Sequence, residues 1–419
     1  MGDMFREFSA LEDNPKWADL IRREEALYKR ERDPRSEFNR DYNRLLHCRA
    51  YRRLKHKTQV FFAPDNDHIC TRIEHVNHVM SISRTIAERL ELNVDLTDAI
   101  AIGHDLGHTP FGHEGEDIVR EITEKELGET FWHEKNSLWF VDNIETLANE
   151  DNKQENLKLT YGVRDGIICH CGEVDDTGIK PRKEVIENLY DLEKPSQVSP
   201  FSWEGCVVKV ADKIAFYGRD AEDAISLGLM STNNFYRGVY RELSKLGRNQ
   251  KIRDELHSGS KEINNTTLIH SFVLDLLDNS SAESGLAFSP WYQDLLKALR
   301  VVSRNLIYDN PRLEYSKKRI RLVIESIFSE LTKLENGNLS VEGIDTGLKH
   351  YPILNDAFIE WMIQYSNISE SVKKDSRFDN KSVYDISRRG HYIRAVIDFI
   401  SGMTDNFALN VFEEFTRFQ

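Results

Sequence analysis

Long apolar runs are missing from these 419 residues: no stretch of about 18 apolar residues occurs, so no membrane-spanning helix is expected. Cysteine is sparse. Cys48, Cys70, Cys169, Cys171 and Cys206 form no CxxC pair, and so odd and scattered a set predicts reduced thiols in a cytoplasmic protein rather than a disulfide framework. Cys169-His170-Cys171 is too tightly spaced for the usual structural zinc sites, so no zinc is expected there. The opening MGDMFREFSALEDNPKWADL carries acids and no apolar stretch, which argues against a signal peptide, and Arg6 stands where a myristoylation signal needs Ser or Thr. Repeats of 20–50 residues and low-complexity segments are absent too.

A positive balance is also lacking. The net charge of −14 disfavours bulk nucleic-acid binding. Residues 22–57 run against that trend, with thirteen Lys/Arg against six Asp/Glu. RREEALYKRERD reads as a helix laced with surface ion pairs. In RAYRRLKHKTQ the acids stop and the bases continue, so this segment is expected to form a basic lip for a polyphosphate, with weak single-stranded nucleic-acid binding as a further use.

What remains is helical. The series Val79, Ile82, Ile86 and Leu90, then Leu268, Phe272 and Leu276, then Leu322, Ile324 and Leu331 follow helical spacing, while strand signals are scarce. Connectors such as APDND, DNPRLE and ENGNLSVEG punctuate them. The fold class expected is all-α, with a basic arm over 1–45, a histidine-rich core over 46–230 and a C-terminal helical region over 231–419 that completes the site and supplies oligomer contacts. Nine of the fourteen histidines fall between His47 and His133, which marks the expected site region.

Several residues there can hold a metal. In TRIEHVNHV, helical spacing places His75 on the face of Val79, Ile82 and Ile86, pointing into the core; such a histidine is a hydrogen-bonded core residue or a ligand. In DLTDAIAIGHDLGH, Asp95 is expected to cap a helix that carries Leu96, Ile100 and His104 inward. Asp105 follows His104 in an apolar, glycine-flanked stretch where an unpaired carboxylate is costly and a cation is one remedy. Asp212 lies in the apolar half of VVKVADKIAFYGRDAEDAI. His75, His104, Asp105 and Asp212 together offer two nitrogens and two oxygens, which suits one first-row divalent ion with open positions; Mn²⁺, Mg²⁺, Fe²⁺ and Zn²⁺ all remain compatible.

The pattern H…HD…D, together with RSEFNRDYNRLLHCRAYRRLKHKTQVF, HDLGHTPFGHEGE, ADKIAFYGRDAEDA and RAVIDFISGMTDNFAL, resembles the deoxyguanosine-triphosphate triphosphohydrolase group of HD-domain phosphohydrolases from residue 35 to 409. The resemblance implies cleavage of a dNTP to deoxynucleoside and intact tripolyphosphate by water attack at the α-phosphorus. The departing O5′ then needs a proton donor. His113 opens a helix after Pro110 and Gly112, with Glu116 three residues on and on the same face. A carboxylate beside an imidazole favours its protonated form, so His113 is expected as the donor with Glu116 as partner. By the same resemblance His108 and His133 touch phosphates, Arg72 and Lys213 grip them, and Gln59 meets the sugar 3′-OH with Asp220. Where the group has a tyrosine under the deoxyribose this chain has Phe216, followed by Tyr217, and its sugar selectivity stays open. The resemblance also implies a homo-oligomer, tetramer or hexamer, and in some members a nucleotide activator at a second site. Two other functions are compatible with the sequence. One is an HD phosphodiesterase or nucleotidase on another nucleotide; the other is a non-catalytic binder of nucleotide or single-stranded DNA.

Overall fold

The structure, a computed structural model, describes residues 3–28, 32–62, 66–171, 178–248, 264–336, 339–368, 373 and 378–417. Residues 29–31 of the basic arm, 63–65 of APDND and 337–338 of ENGNLSVEG lie outside the described residues. Among the described residues the helices of seven residues or more begin with α1 (Glu37–His47), α2 (Arg72–Arg89), α3 (Val94–Gly103), α4 (Gly112–Leu127), α5 (His133–Trp139), α6 (Tyr161–Cys169), α7 (Trp203–Ser226) and α8 (Thr232–Lys245). They continue with α9 (Asn265–Asn279), α10 (Pro290–Ser303), α11 (Glu314–Lys333), α12 (Val341–Leu348), α13 (Pro352–Tyr365), α14 (Arg389–Ser401) and α15 (Asp405–Thr416). Among the described residues the sheet is one small antiparallel pair, Thr146–Ala148 with Gln154–Asn156, so the chain is all-α as the periodicity predicts.

Local signals set the helix ends. Thr71 and Glu74 form a capping box that starts α2, and Ser202 starts α7 by accepting the Gly205 N–H at 3.0 Å. For α3 the expected cap is corrected. Asn93 accepts the Leu96 N–H at 3.1 Å, whereas Asp95 sits in the first turn and accepts from Ser36 Oγ at 2.6 Å. The helix α3 is the apolar centre of the fold. Its residues from Leu96 to Gly103 are all buried, because α1, α2, α6 and α7 pack around it. That surround explains why VDLTDAIAIG has so little of an amphipathic pattern.

The apolar core divides in two. One cluster runs from Phe5 to Ile307 and includes α8–α10; the other joins α4 and Phe140 to α11–α15. The second cluster thus takes residues from both the 46–230 and the 231–419 parts of the chain. In α11 the inward stripe is Ile320, Val323, Ile324, Ile327 and Leu331; Leu322, expected on it, is 56% exposed.

Distant motifs are tied together beneath α4. Asp405, at the start of α15, accepts the Thr58 N–H at 2.9 Å and the Phe111 N–H at 2.8 Å. Lys57 is buried beside it and donates to the carbonyls of His108 and Ser401. One carboxylate thus fastens KTQVF, HDLGHTPFGH and GMTD to each other, over sequence separations of 294 and 347 residues.

Candidate active site

The site is built where α2, α5 and α7 meet the C-terminal ends of α3 and α6. Helices α2 and α7 pack along each other, which brings His75 Nε2 to 3.0 Å from Asp212 Oδ1. His104 is the C-cap residue of α3, and its Nδ1 lies 2.7 Å from the Ala101 carbonyl. A carbonyl only accepts, so Nδ1 carries the proton and Nε2 is left with its lone pair. That Nε2 is buried with no hydrogen-bond partner among the described residues, 4.0 Å from Asp212 Oδ1 and 3.8 Å from Asp105 Oδ1. Donor atoms of His75, His104 and Asp212 lie within 4.8 Å of one another. Ligands about 2.1 Å from a shared ion are separated by up to roughly 4.2 Å, so these residues fit a divalent ion with little movement.

Asp105 is held differently from the other three. Its Oδ2 accepts from Arg72 at 2.7 Å, and its Oδ1 faces His108 Nε2 at 3.3 Å and His133 Nε2 at 3.9 Å. It groups with His104 and His170, and again with His108 and His133, so the expected quartet converges as three residues with Asp105 at the edge. Burial opposes ionisation of Asp105, yet His108, Arg72 and His104 hold it well below the usual carboxylate range. Arg72 is only 1% exposed, and besides Asp105 its guanidinium donates to the carbonyls of Thr58 and Gln59. Three of its five N–H groups are therefore engaged in holding the site together.

A second cluster adjoins the first. His108 and His133 stack with ring centroids 3.8 Å apart. Glu116 reaches His133 Nδ1 at 3.2 Å and accepts the His133 backbone N–H at 3.0 Å, while His113 Nδ1 is farther, at 3.8 Å. Burial alone would lower the pKa of His133, but Glu134 and Glu116 push it up to about 10. Glu116 therefore bears on three histidines, with His108 Nδ1 also at 3.8 Å, and the nearest is His133 rather than the expected His113. His113 itself stands in the first turn of α4 after two left-handed residues, Phe111 and Gly112, with its side chain 60% exposed at the cavity. Gly107 permits the whole arrangement: a Cβ there would lie 2.1 Å from the Ser137 backbone nitrogen, so α5 could not approach the HDLGH turn as it does.

All of this faces a cavity of about 1000 Å³. Lys213, Phe216, Tyr217 and Asp220 of α7 line it, as do Gln59, Arg72, His75, Asp105, His108, His113, His133 and Asp212; His104 and Glu116 lie behind that wall. Gln59 is 7% exposed, and its Oε1 is buried with no partner among the described residues. The Phe216 and Tyr217 rings are 4.1 Å apart, so both can pack against one ligand. Asp220 accepts from Tyr308 Oη at 2.5 Å, and burial raises its pKa to about 6. The expected basic lip is corrected: no lining residue comes from RAYRRLKHK. Arg53 pairs with Glu145 and Lys57 is buried in the Asp405 knot. The cations come instead from α10, α11 and the turn between them: Lys297, Arg300, Arg304, Arg312 and Lys317. Sequence reasoning missed these, along with Tyr308 and His170. Only His170 had a local signal, its place in Cys169-His170-Cys171.

Comparison with known proteins gives the family. The HD domain family profile matches residues 72–217, the interval that contains His75, His104, Asp105 and Asp212. A deoxyguanosinetriphosphate triphosphohydrolase-like protein of Caldanaerobacter subterraneus subsp. tengcongensis is 30% identical, over 91% of this chain and 85% of its own length. The chain belongs to the deoxyguanosinetriphosphate triphosphohydrolase-like family. Members from Pelagibacter ubique, 30% identical over 90% of this chain and 92% of theirs, and Rhizobium meliloti, 29% identical over 98% and 95%, extend the same relation across nearly the whole length. In this triphosphohydrolase-like chain the described residues contain no helix long and apolar enough to cross a membrane.

Proposed function

We propose that the chain hydrolyses a deoxynucleoside triphosphate, dGTP or several dNTPs, to the deoxynucleoside and tripolyphosphate. The observation that carries this reading is one cavity with convergent imidazole and carboxylate donors on one wall and five cations from the C-terminal half on another. The relatives' shared name supports a nucleotide as substrate. A divalent ion (Mn²⁺, Mg²⁺, Fe²⁺ or Zn²⁺) held by His75, His104, Asp105 and Asp212 would supply Lewis acidity at the α-phosphate and a more readily ionised water.

The chain's own residues divide the remaining work. Arg72 anchors Asp105 and turns its remaining N–H groups toward phosphate, with Lys213 beside it. His133, protonated between Glu116 and Glu134, supplies a further positive charge, and His108 stacks beneath it. His113 protonates O5′ as the bond to phosphorus breaks; it is the most exposed of the histidines lining the cavity, in the first turn of α4. Glu116 orients both His113 and His133. Gln59, with an unused carbonyl oxygen, and Asp220 bind the sugar 3′-OH, and Phe216 with Tyr217 packs against the ring. Phe216 lacks a hydroxyl, so exclusion of a 2′-OH rests on shape and on Tyr217.

The test is a panel of dNTPs and NTPs with Mn²⁺ or Mg²⁺, with products resolved by ion-exchange chromatography and the purified His104→Ala variant as control. Tripolyphosphate from dNTPs, abolished in the variant, supports the proposal. Release of pyrophosphate or monophosphate would favour a nucleotidase or phosphodiesterase, and binding without turnover would favour a non-catalytic role.

A further inference from the structure

One cation of the C-terminal wall is tied to the helix that carries His113. Lys317 of α11 sets its Nζ 2.9 Å from Oε1 of Glu114, which stands in the first turn of α4 next to His113. Both residues line the large cavity, and their side chains are 29% and 33% exposed. Glu314, the other carboxylate near Lys317, is farther, at 3.9 Å. Other cations of that wall have partners elsewhere: Arg304 faces Asp309 at 3.5 Å, Lys297 faces Asp294 at 4.0 Å, and Arg312 donates to the Gly228 carbonyl at 2.8 Å. The joint between α4 and α11 does not depend on Glu114 alone. Glu121 takes Arg321 through two bonds, at 2.7 and 3.0 Å, and Ile118 and Val119 share one apolar cluster with Ile320 and Ile324. A carboxylate–ammonium pair that faces a cavity for a polyanion is one the polyanion can break. The proposed reaction puts O5′ at His113, so the α-phosphate lies against the first turn of α4. That is within reach of a lysine, whose ammonium swings on a flexible four-carbon stem.

We infer that Lys317 binds the phosphates of the substrate and that Glu114 is its exchangeable counter-ion. The carboxylate holds Lys317 over the empty cavity, yields it to the entering triphosphate and takes it back as tripolyphosphate leaves. Lys317 is thereby a substrate-binding residue supplied by the C-terminal half, and Glu114 a positioning residue that acts through it. Glu114 also weakens the hold of a cation-lined cavity on a highly charged product. The inference rests on the proposed triphosphohydrolase reading, and the experiment separates the two.

Tripolyphosphate and deoxyguanosine are titrated by calorimetry into the full-length protein in MgCl₂, at low and at high KCl. Lys317→Gln should weaken tripolyphosphate binding by about two- to fivefold, the size of one partly exposed charge pair, and leave deoxyguanosine binding unchanged. Glu114→Gln should strengthen tripolyphosphate binding by a similar factor, and both changes should shrink in high KCl. The opposite signs are decisive, because a pair that only clamps α4 to α11 loses the same bridge in either variant and shifts both in one direction. Adding Glu114→Gln to Lys317→Gln should change little, since its effect passes through the lysine. Lys317→Arg, which keeps the charge, should restore binding. Changes of the same sign, unchanged binding in Lys317→Gln, or an equal effect of Glu114→Gln with and without Lys317 overturn the inference and leave the triphosphohydrolase reading standing. If Lys317→Gln does not fold, Glu114→Gln decides, and tripolyphosphate binding that is unchanged or weaker there overturns it. A wild-type chain that binds no tripolyphosphate also overturns it; if that chain releases none from any dNTP, the triphosphohydrolase reading falls as well.

Discussion

Replacing Asp405 should unfasten the catalytic turn from 294 residues away. Its two carboxylate oxygens each take one buried backbone donor, Thr58 N–H and Phe111 N–H. Each donor left unsatisfied costs about 1–3 kcal/mol, so Asp405→Ala should lose roughly 2–6 kcal/mol. Asp405→Asn keeps one acceptor and turns an NH₂ toward the other donor, so roughly half that loss is expected. In domains of 150–250 residues one kcal/mol corresponds to about 2–4 °C of melting temperature, and to less in a longer chain; several degrees should separate Asp405→Ala from wild type. Activity should fall more steeply than stability, because Phe111 and Thr58 flank His113 and Gln59, and a displacement of about 1 Å can cost on the order of 10²-fold in rate. Differential scanning fluorimetry and steady-state hydrolysis measure the two effects. An Asp405→Ala protein that melts within a degree of wild type and turns over at the same rate would refute the reasoning.

Three further outcomes are expected. His113→Ala should lower turnover by about 10²- to 10⁴-fold while nucleotide and manganese binding persist; a substrate with a better 5′ leaving group should partly restore it, and failure to do so would make His113 a phosphate contact instead. Burial raises Asp220 to about 6 from 3.8, so the folded state holds this proton more tightly than the unfolded chain. Relative to Asp220→Asn, wild-type stability should therefore be greatest below about pH 3.8, fall as pH rises to about 6 and stay lower by roughly 3 kcal/mol beyond it; parallel melting curves of the two proteins from pH 4 to 7.5 would contradict this. Leu246, Leu274 and Val301, exposed near α8–α10, should be covered in a homo-oligomer, and light scattering that gives a fully active monomer at micromolar concentration would exclude that.

The all-α class was readable because α2, α9 and α11 carry long helical periodicity, and His75 could be placed inward from Val79, Ile82 and Ile86 alone. The run VDLTDAIAIGHD told less. A helix buried on every side has no polar face, so its spacing could not say where His104 points. The misread cap at Asp95 has a similar origin: Asn93 and Asp95 are both cap-type residues, and only the packing of α1 assigns Asp95 to Ser36. The wall of Lys297, Arg300, Arg304, Arg312 and Lys317 was illegible because its residues sit on exposed faces of α10, α11 and their connection, where cations are ordinary. The chain's return over the site is a long-range contact with no local mark. RAYRRLKHK misled for the converse reason: a dense basic run was already committed to Glu145, the Asp405 knot and solvent.

Hydrolysis of dGTP in ¹⁸O-labelled water, followed by ³¹P NMR and mass spectrometry of both products, tests the proposal most directly. Attack at the α-phosphorus with O5′ departing predicts one ¹⁸O in the tripolyphosphate and none in the deoxyguanosine. Label in the nucleoside, or phosphorus appearing as pyrophosphate or orthophosphate beside a nucleotide, would contradict it.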